Sequence, residues 1–277
     1  MGLKRKLTKL IKFLNSKEKI AVHSFQGMEN LLEGKTALIS GGSSGIGFAI
    51  AQILLSSGCR VIITGSNEDK ILKCCEELKS EKVKGIVLDV CDIDNITNSF
   101  NLALKQFPDS TIDILINCAG YNPKKSFFDI TEYEFDKTFD TNVKGTFFLC
   151  QAVAKYMIKN RIKGHILNLS SSSALRPAWS PYEMSKWTIK GFTVGLADTL
   201  VQHGIVVNAI APGPTATPML GIDKDGDIDL PNSPIKRYAT PEEIANLTLI
   251  LVSDMGNLII GDTVYATGGS GVISMHS

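Results

Sequence analysis

Residues 35–58 read KTALISGGSSGIGFAIAQILLSSG. A short apolar strand, Lys35–Ser40, runs into a glycine-rich turn and then into an apolar helix. The turn spells G-x-x-x-G-x-G, with glycines at Gly41, Gly45 and Gly47 and with Ser43, Ser44 and Ile46 between them. Glycine lets the backbone approach a ligand closely, and the unpaired N–H groups at a helix start face anions. The spacing departs from the usual G-x-G-x-x-G dinucleotide fingerprint. Its position, after a first strand and at the head of a helix, is nevertheless that of a pyrophosphate cradle. All six turn residues are therefore candidate cofactor contacts.

The stretches that follow repeat the strand–helix alternation. A second strand, Cys59–Thr64, is followed by Asn67 as N-cap of a helix over EDKILKCCEELKS. An acid at the end of this strand would hold the ribose hydroxyls of NAD, and a basic residue would favour the 2′-phosphate of NADP. Here Ser66 and Asn67 stand there. With no acid to repel a phosphate and two donors to hold it, the position leans to NADP over NAD. A third strand, Val83–Val90, ends at Asp89 and Val90. Asp89 is either an acceptor for an adenine amino group or a cap for the next helix. A fourth strand, Ile112–Asn117, ends in Asn117, Cys118, Ala119 and Gly120, small residues against which a cofactor can lie close. Continuous apolar strands alternating with helices predict a parallel sheet covered on both faces.

In the second half, a capping box at Thr131–Glu134 predicts a long helix that carries Asn142 in largely apolar surroundings. Asn142 is either bonded to its own backbone or held inward. A fifth strand, Gly164–Ser170, delivers the run Ser170, Ser171, Ser172, Ser173 to its carboxyl end, the edge where open α/β sheets bind ligands. Pro181 opens a helix running to about His203 and puts Tyr182 and Lys186 one turn apart on one face. Tyrosine alone titrates near 10, too high for ready exchange at neutral pH. A neighbouring ammonium favours the tyrosinate and makes it a usable acid/base. A sixth strand, Ile205–Ile210, leads to Pro212, Gly213, Thr215 and Thr217, further candidate cofactor contacts. Residues 219–239 form a polar loop long enough for a substrate lid. Thr240 caps another helix, and a last strand, Asp262–Ala266, closes the sheet.

Composition bounds this reading. A chain of 277 residues, 44% apolar and 21% charged, suits one globular α/β domain. A net charge of +1 implies no nucleic-acid partner. The six cysteines include no C-x-x-C and read as reduced thiols of a cytoplasmic protein, without a zinc site. The lid's alternating Asp223, Asp225, Asp227 and Asp229 lack the EF-hand glycine and glutamate, so no metal is assigned. No apolar run approaches a membrane span or a secretory signal. Charge gathers at the start: residues 1–20 hold seven basic residues and one acid, a net +6, which leaves −5 for the rest. The helical spacing of Leu3, Leu7, Leu10, Ile11 and Leu14 predicts a basic amphipathic helix there. Packing on its own or a neighbouring subunit is favoured over a membrane surface for this arm. The domain reading is thus a basic extension over 1–33 and one domain over 34–277.

Five features in order, namely Gly41/Gly45/Gly47, Asn117–Gly120, Asn142, Ser171 with Tyr182-x-x-x-Lys186, and Pro212-Gly213, resemble the short-chain dehydrogenase/reductase family. The resemblance is to its classical single-domain branch, 3-oxoacyl reductases included, and covers residues 34–270. It implies a Rossmann-type, doubly wound, seven-stranded parallel sheet and hydride transfer between NAD(P) and a carbonyl or secondary alcohol. It further implies that Tyr182 moves the alcohol proton and that Lys186 lowers the Tyr182 pKa and binds the nicotinamide ribose. Ser171 would hold the carbonyl oxygen, and Asn142 would anchor a water linking Lys186 to solvent. A homodimer or homotetramer is expected. This sequence has Ser40 where the family usually has threonine and Cys118 where it has asparagine. The gap from Ser171 to Tyr182 is about two residues short, which keeps Ser170 and Ser172 as alternatives to Ser171. The competing reading is a non-catalytic NAD(P)-binding scaffold or redox sensor. Phe127, Phe128, Trp179, Met184, Met219 and Leu220 are the candidate lining of an apolar substrate pocket.

Overall fold

The computed structural model describes residues 30–109, 111–222 and 226–273. The basic arm expected over residues 1–20 lies outside the described residues. In chain order the elements are β1 (Thr36–Ser40), α1 (Gly45–Ser56), β2 (Arg60–Gly65), α2 (Glu68–Leu78), β3 (Val83–Val87) and α3 (Ile93–Leu104). There follow β4 (Ile114–Asn117), α4 (Glu132–Phe139), α5 (Thr146–Lys159), β5 (His165–Leu169) and α6 (Pro181–Leu200). The last are β6 (Val206–Pro212), α7 (Pro241–Leu251) and β7 (Thr263–Ala266). The seven strands form one sheet in the order β3-β2-β1-β4-β5-β6-β7. Every pairing in it is parallel.

The pleat explains the two apolar layers. Side chains alternate across a strand, so Ala37 and Ile39 of β1 face one layer and Leu38 faces the other. The first layer packs α1, α2 and α7 on the sheet, through residues such as Ile50, Leu54, Cys74 and Leu249. The second packs α3, α5 and α6, through residues such as Phe100, Val153 and Leu200. Leu32, placed in the extension by the sequence reading, is only 2% exposed and joins the first layer.

Strand order reverses between β1 and β4. Chains leaving these two strands diverge to opposite faces, which opens a crevice at their carboxyl ends. The helix expected from Thr131 onward departs from that expectation. Its capping box is present, with Thr131 Oγ1 accepting from Glu134 N at 3.3 Å and Glu134 Oε2 accepting from Thr131 N at 3.0 Å. The α-helical turns stop at Phe139, and Asp140–Gly145 form a π-helical turn before α5 resumes. Such widened turns commonly mark functional positions. Asn142 sits in this one, turned inward and 2% exposed.

Candidate functional site

A cleft of about 510 Å³ opens at the carboxyl ends of β1, β4, β5 and β6. Its floor near β1 is the glycine turn. Gly41 has φ +65, which an L side chain rarely adopts. A Cβ there would lie 2.7 Å from the Cα of Ala119, so the β1 and β4 turns touch through backbone alone. At Gly47 a Cβ would lie 2.3 Å from the carbonyl oxygen of Gly41, so glycine lets α1 seat directly on the turn. Ser44 is the N-cap of α1, its side chain makes no capping bond, and the first turn carries no acid. Uncapped N–H groups with no nearby carboxylate form an anion cradle. The residues present therefore fit a dinucleotide's pyrophosphate. Gly41, Ser44, Gly45 and Ile46 line the cleft, whereas Ser43 and Gly47 support the turn behind it.

The other cofactor candidates divide in the same way. Ala119, Gly120, Pro212, Gly213, Thr215 and Thr217 line the cleft. Thr215 Oγ1 donates to the Gly213 carbonyl at 3.0 Å and Thr217 Oγ1 to that of Thr215 at 3.3 Å, which folds the chain after β6 over the cradle. Asn117 does not line the cleft. Its Nδ2 donates to Asn168 Oδ1 at 2.9 Å and to Cys150 Sγ at 3.1 Å, within the sheet's own packing. Ser66 and Asn67 are exposed beyond β2, and Asn67 Oδ1 accepts from Lys70 N at 2.9 Å as the N-cap of α2. Asp89 is exposed and its Oδ1 accepts from Cys91 N at 2.9 Å. The N-cap of α3 is Asp92, so Asp89 holds the turn before the helix and is not its cap. Val90 is buried.

Tyr182, Lys186 and Ser171 meet on the cleft's other wall. Pro181 is at N1 of α6, and the Ser180–Glu183 capping box starts the helix. Glu183 Oε2 accepts from Ser180 N at 3.1 Å and also contacts the Ser180 hydroxyl. Lys186 is 6% exposed, and its Nζ donates to the Leu169 carbonyl at 2.9 Å and lies 5.5 Å from the centroid of the Tyr182 ring. Burial pulls the Lys186 ammonium down to about 8. Burial also pushes the Tyr182 phenol above its ordinary value, with a hydrogen bond from Ser171 pulling partly back. Burial thus raises the Tyr182 phenol where lowering by Lys186 was expected, and one hydrogen of the Lys186 ammonium is spent on the Leu169 carbonyl.

Of the serines, Ser170 donates to the Lys186 carbonyl at 3.0 Å, and Ser171 Oγ accepts from Ser173 N at 3.1 Å while its hydroxyl faces Tyr182. Asn142 stands behind the cleft. Its Oδ1 accepts from Tyr121 N at 2.7 Å, and its Nδ2 donates to the Tyr121 carbonyl at 3.0 Å and to Ser185 Oγ at 3.0 Å. Asn142 is thus bonded to other elements and not to its own helix backbone. It ties the chain after β4 to the Tyr182 helix.

A family model described as enoyl-(acyl carrier protein) reductase matches residues 41–271. A solved short-chain dehydrogenase/reductase family protein superposes with a TM-score of 0.77 at 35% identity, covering 87% of this chain and 99% of that one. The chain belongs to the short-chain dehydrogenase/reductase family. A 3α-hydroxysteroid dehydrogenase of Mediterraneibacter gnavus is 34% identical over 248 residues, which are 87% of this chain and 98% of the relative. A 3-oxoacyl-[acyl-carrier-protein] reductase of Rickettsia felis is 35% identical over 242 residues, 86% and 97% of the two chains. A 3-ketoacyl-(acyl-carrier-protein) reductase of Brucella melitensis, solved in complex with NADH, superposes with a TM-score of 0.78 at 25% identity, covering 87% of this chain and all of that one. This short-chain dehydrogenase/reductase is accordingly an NAD(P)-dependent oxidoreductase acting on carbonyl and CH–OH groups, 3-oxoacyl-reductase-like within the classical branch. The scaffold alternative finds no support among these relatives.

The substrate end of this dehydrogenase/reductase corrects the sequence reading. Met219 and Leu220 line the cleft, whereas Phe127, Phe128, Trp179 and Met184 are exposed outside it. Arg176 and Tyr238 line it instead. Tyr238 arrives on the expected lid, which Arg237 anchors to α7 by bonds of 2.8 and 2.7 Å to the two carboxylate oxygens of Glu243. Arg237 holds the Glu243 carboxyl down at about 2. Of the lid's alternating acids, Asp223 and Asp225 lie outside the described residues. No described helix is long and apolar enough to cross a membrane.

Proposed function

We propose that residues 34–277 form the catalytic domain of an NADPH-dependent ketone reductase in which Tyr182, Ser171, Lys186 and Asn142 carry the chemistry. The observation that carries this reading is the meeting of half-buried Tyr182 with buried Ser171 and Lys186 beside the glycine cradle. When bound in the cradle, a reduced dinucleotide would supply a hydride to the carbonyl carbon. Ser171 and Tyr182 donate hydrogen bonds to the carbonyl oxygen and stabilise the charge that grows on it. Tyr182 then gives its proton to that oxygen, which completes a secondary alcohol and leaves a tyrosinate. Burial keeps the Tyr182 proton in place at neutral pH and also makes it a weaker acid, so its release onto the growing oxyanion relies on the Lys186 ammonium one turn away. Lys186, one turn along α6, would offset the tyrosinate charge and hold the ribose of a bound dinucleotide. Asn142 keeps Tyr121 and Ser185 in register around the site. Gly41–Gly47, Ala119, Gly120 and the chain from Pro212 to Thr217 are the proposed cofactor contacts.

The preference for NADPH rests on Ser66 and Asn67. Asn67 uses its carbonyl oxygen to cap α2, which leaves its amide N–H groups for a phosphate, and neither residue repels one. A ketone of acyl, steroid or related type is the proposed substrate class, in keeping with the names of the relatives. The exposed Phe147, Trp187 and Val194 of α5 and α6 support a homodimer or homotetramer, the common state in the family. The cytoplasm is the proposed compartment, on the free thiols of the described cysteines.

Calorimetric titration with NADPH and, separately, NADH tests the cofactor reading. Tighter NADPH binding is expected, and tighter NADH binding would overturn the Ser66/Asn67 argument. The Tyr182→Phe variant tests the chemistry. It should bind the cofactor as the parent does and lose turnover by a hundredfold or more, on the order of a lost general acid. Unchanged turnover on any accepted ketone would remove Tyr182 from the reaction.

A further inference from the structure

Among the described residues three charged side chains line the cleft: Lys186, Glu183 and Arg176. Lys186 belongs to the reacting end, with its ammonium on the Leu169 carbonyl. Glu183 is engaged by the backbone and hydroxyl of Ser180 at the start of α6. Arg176 is different. Its guanidinium makes one hydrogen bond, from Nη2 to Ser270 Oγ at 2.7 Å, and among the described residues it has no ion pair. A guanidinium carries five N–H donors in a planar fork, so most of this fork is left unused.

The residue is nonetheless held in place. Trp187, next to Lys186 on α6, donates its indole N–H to the Arg176 carbonyl at 2.9 Å. Ser270, which fixes the guanidinium, is itself buried at 8% exposure. A short 3₁₀ turn, Ser172–Leu175, joins Ser171 to Arg176. At a rise of about 2 Å per residue, that turn sets the Arg176 backbone on the order of 10 Å from Ser171. An exposed but anchored cation on the cleft wall, without a counter-ion among the described residues, selects for an anionic oxygen group on the far end of a substrate.

We propose that Arg176 is a specificity-determining residue and that the preferred substrates are ketones or secondary alcohols bearing a carboxylate or phosphate at the end remote from the reacting carbon. The inference rests on the reading of this cleft as the site of ketone reduction.

The test uses 9-oxodecanoate and its methyl ester, which differ at the distal group only in charge and a methyl. Binding of each to the NADPH-saturated protein is measured by calorimetry, and turnover is measured separately. The parent should bind the acid about tenfold more tightly than the ester. Arg176→Gln should bring the acid-to-ester ratio close to one, and Arg176→Lys should recover part of it. Equal affinity for acid and ester in the parent, a ratio that Arg176→Gln leaves in place, or binding of neither compound would overturn the proposal. A charge preference that disappears in Arg176→Gln supports it even if neither compound is turned over. That combination would instead count against ketone reduction at this site.

Discussion

Replacing Lys186 by methionine should make the cofactor-free protein more stable while removing its activity. Lys186 is 6% exposed, and burial lowers its pKa from 10.5 to about 8. At about 1.4 kcal/mol per pH unit, keeping this ammonium charged in the folded state at pH 7 costs about 3 kcal/mol. Methionine fills a similar volume without charge. It also loses the 2.9 Å hydrogen bond to the Leu169 carbonyl, a loss of about 1 kcal/mol. The net gain is therefore about 2 kcal/mol, or roughly 5 °C in Tm for a domain of this size. The pH dependence is the sharper readout. Between about 8 and 10.5 the folded parent has released the Lys186 proton while the unfolded chain still binds it, so parental stability rises with pH. The advantage of Lys186→Met should be largest below pH 8 and shrink steadily toward pH 10.5. Urea denaturation of both proteins from pH 6 to 10, without cofactor, measures it. A variant no more stable than the parent at pH 7, or an advantage flat across that range, would refute the argument that burial strains this lysine.

Four further outcomes follow from the contacts of the site. Asn142→Ala leaves the backbone N–H and C=O of Tyr121 without their side-chain partner and should cost about 2 kcal/mol in urea denaturation, with kcat falling as well. Gly41→Ala forces a Cβ to 2.7 Å from Ala119 at φ +65, at a strain of about 1–2 kcal/mol or more, and should weaken NADPH binding at least about tenfold while circular dichroism stays native. Ser171→Ala should lower kcat by about a hundredfold and move the alkaline limb of the reductive pH profile upward, because the hydrogen bond that pulls the Tyr182 pKa back is lost. Ser170→Ala, which removes only the bond to the Lys186 carbonyl, should instead lower stability by about 1 kcal/mol.

Much of the architecture was legible because it is local. The strand–turn–helix at residues 35–58 reads directly from apolar runs and glycine placement. The capping boxes at Thr131 and Thr240 and the N-cap at Asn67 appear where the sequence puts them. Tyr182 and Lys186 share a helix face because proline at N1 and a four-residue spacing leave little choice. The π-helical turn at Asn142 was not legible. It depends on Tyr121 and Ser185, which lie 21 and 43 residues away in sequence. Phe127, Phe128, Trp179 and Met184 misled the reading because hydrophobicity does not tell a cleft from an exposed face. Arg176 carried no signal, since a lone arginine beside proline reads as solvated surface.

The sequence by itself determined the order of elements, the parallel sheet with its anion cradle, and the family, because each follows from patterns within a few turns of chain. Only the tertiary structure decided which serine faces Tyr182, that Asn142 braces the site, and that Arg176 lines the cleft. It also set the sign of the Tyr182 shift. The reason is physical: a pKa responds to how much water the whole fold removes and where the neighbouring proton points. Spacing along α6 put an ammonium one turn from the phenol. The packing of β5, the serine turn and α6 then buried the ammonium, half-buried the phenol and directed the ammonium to the Leu169 carbonyl.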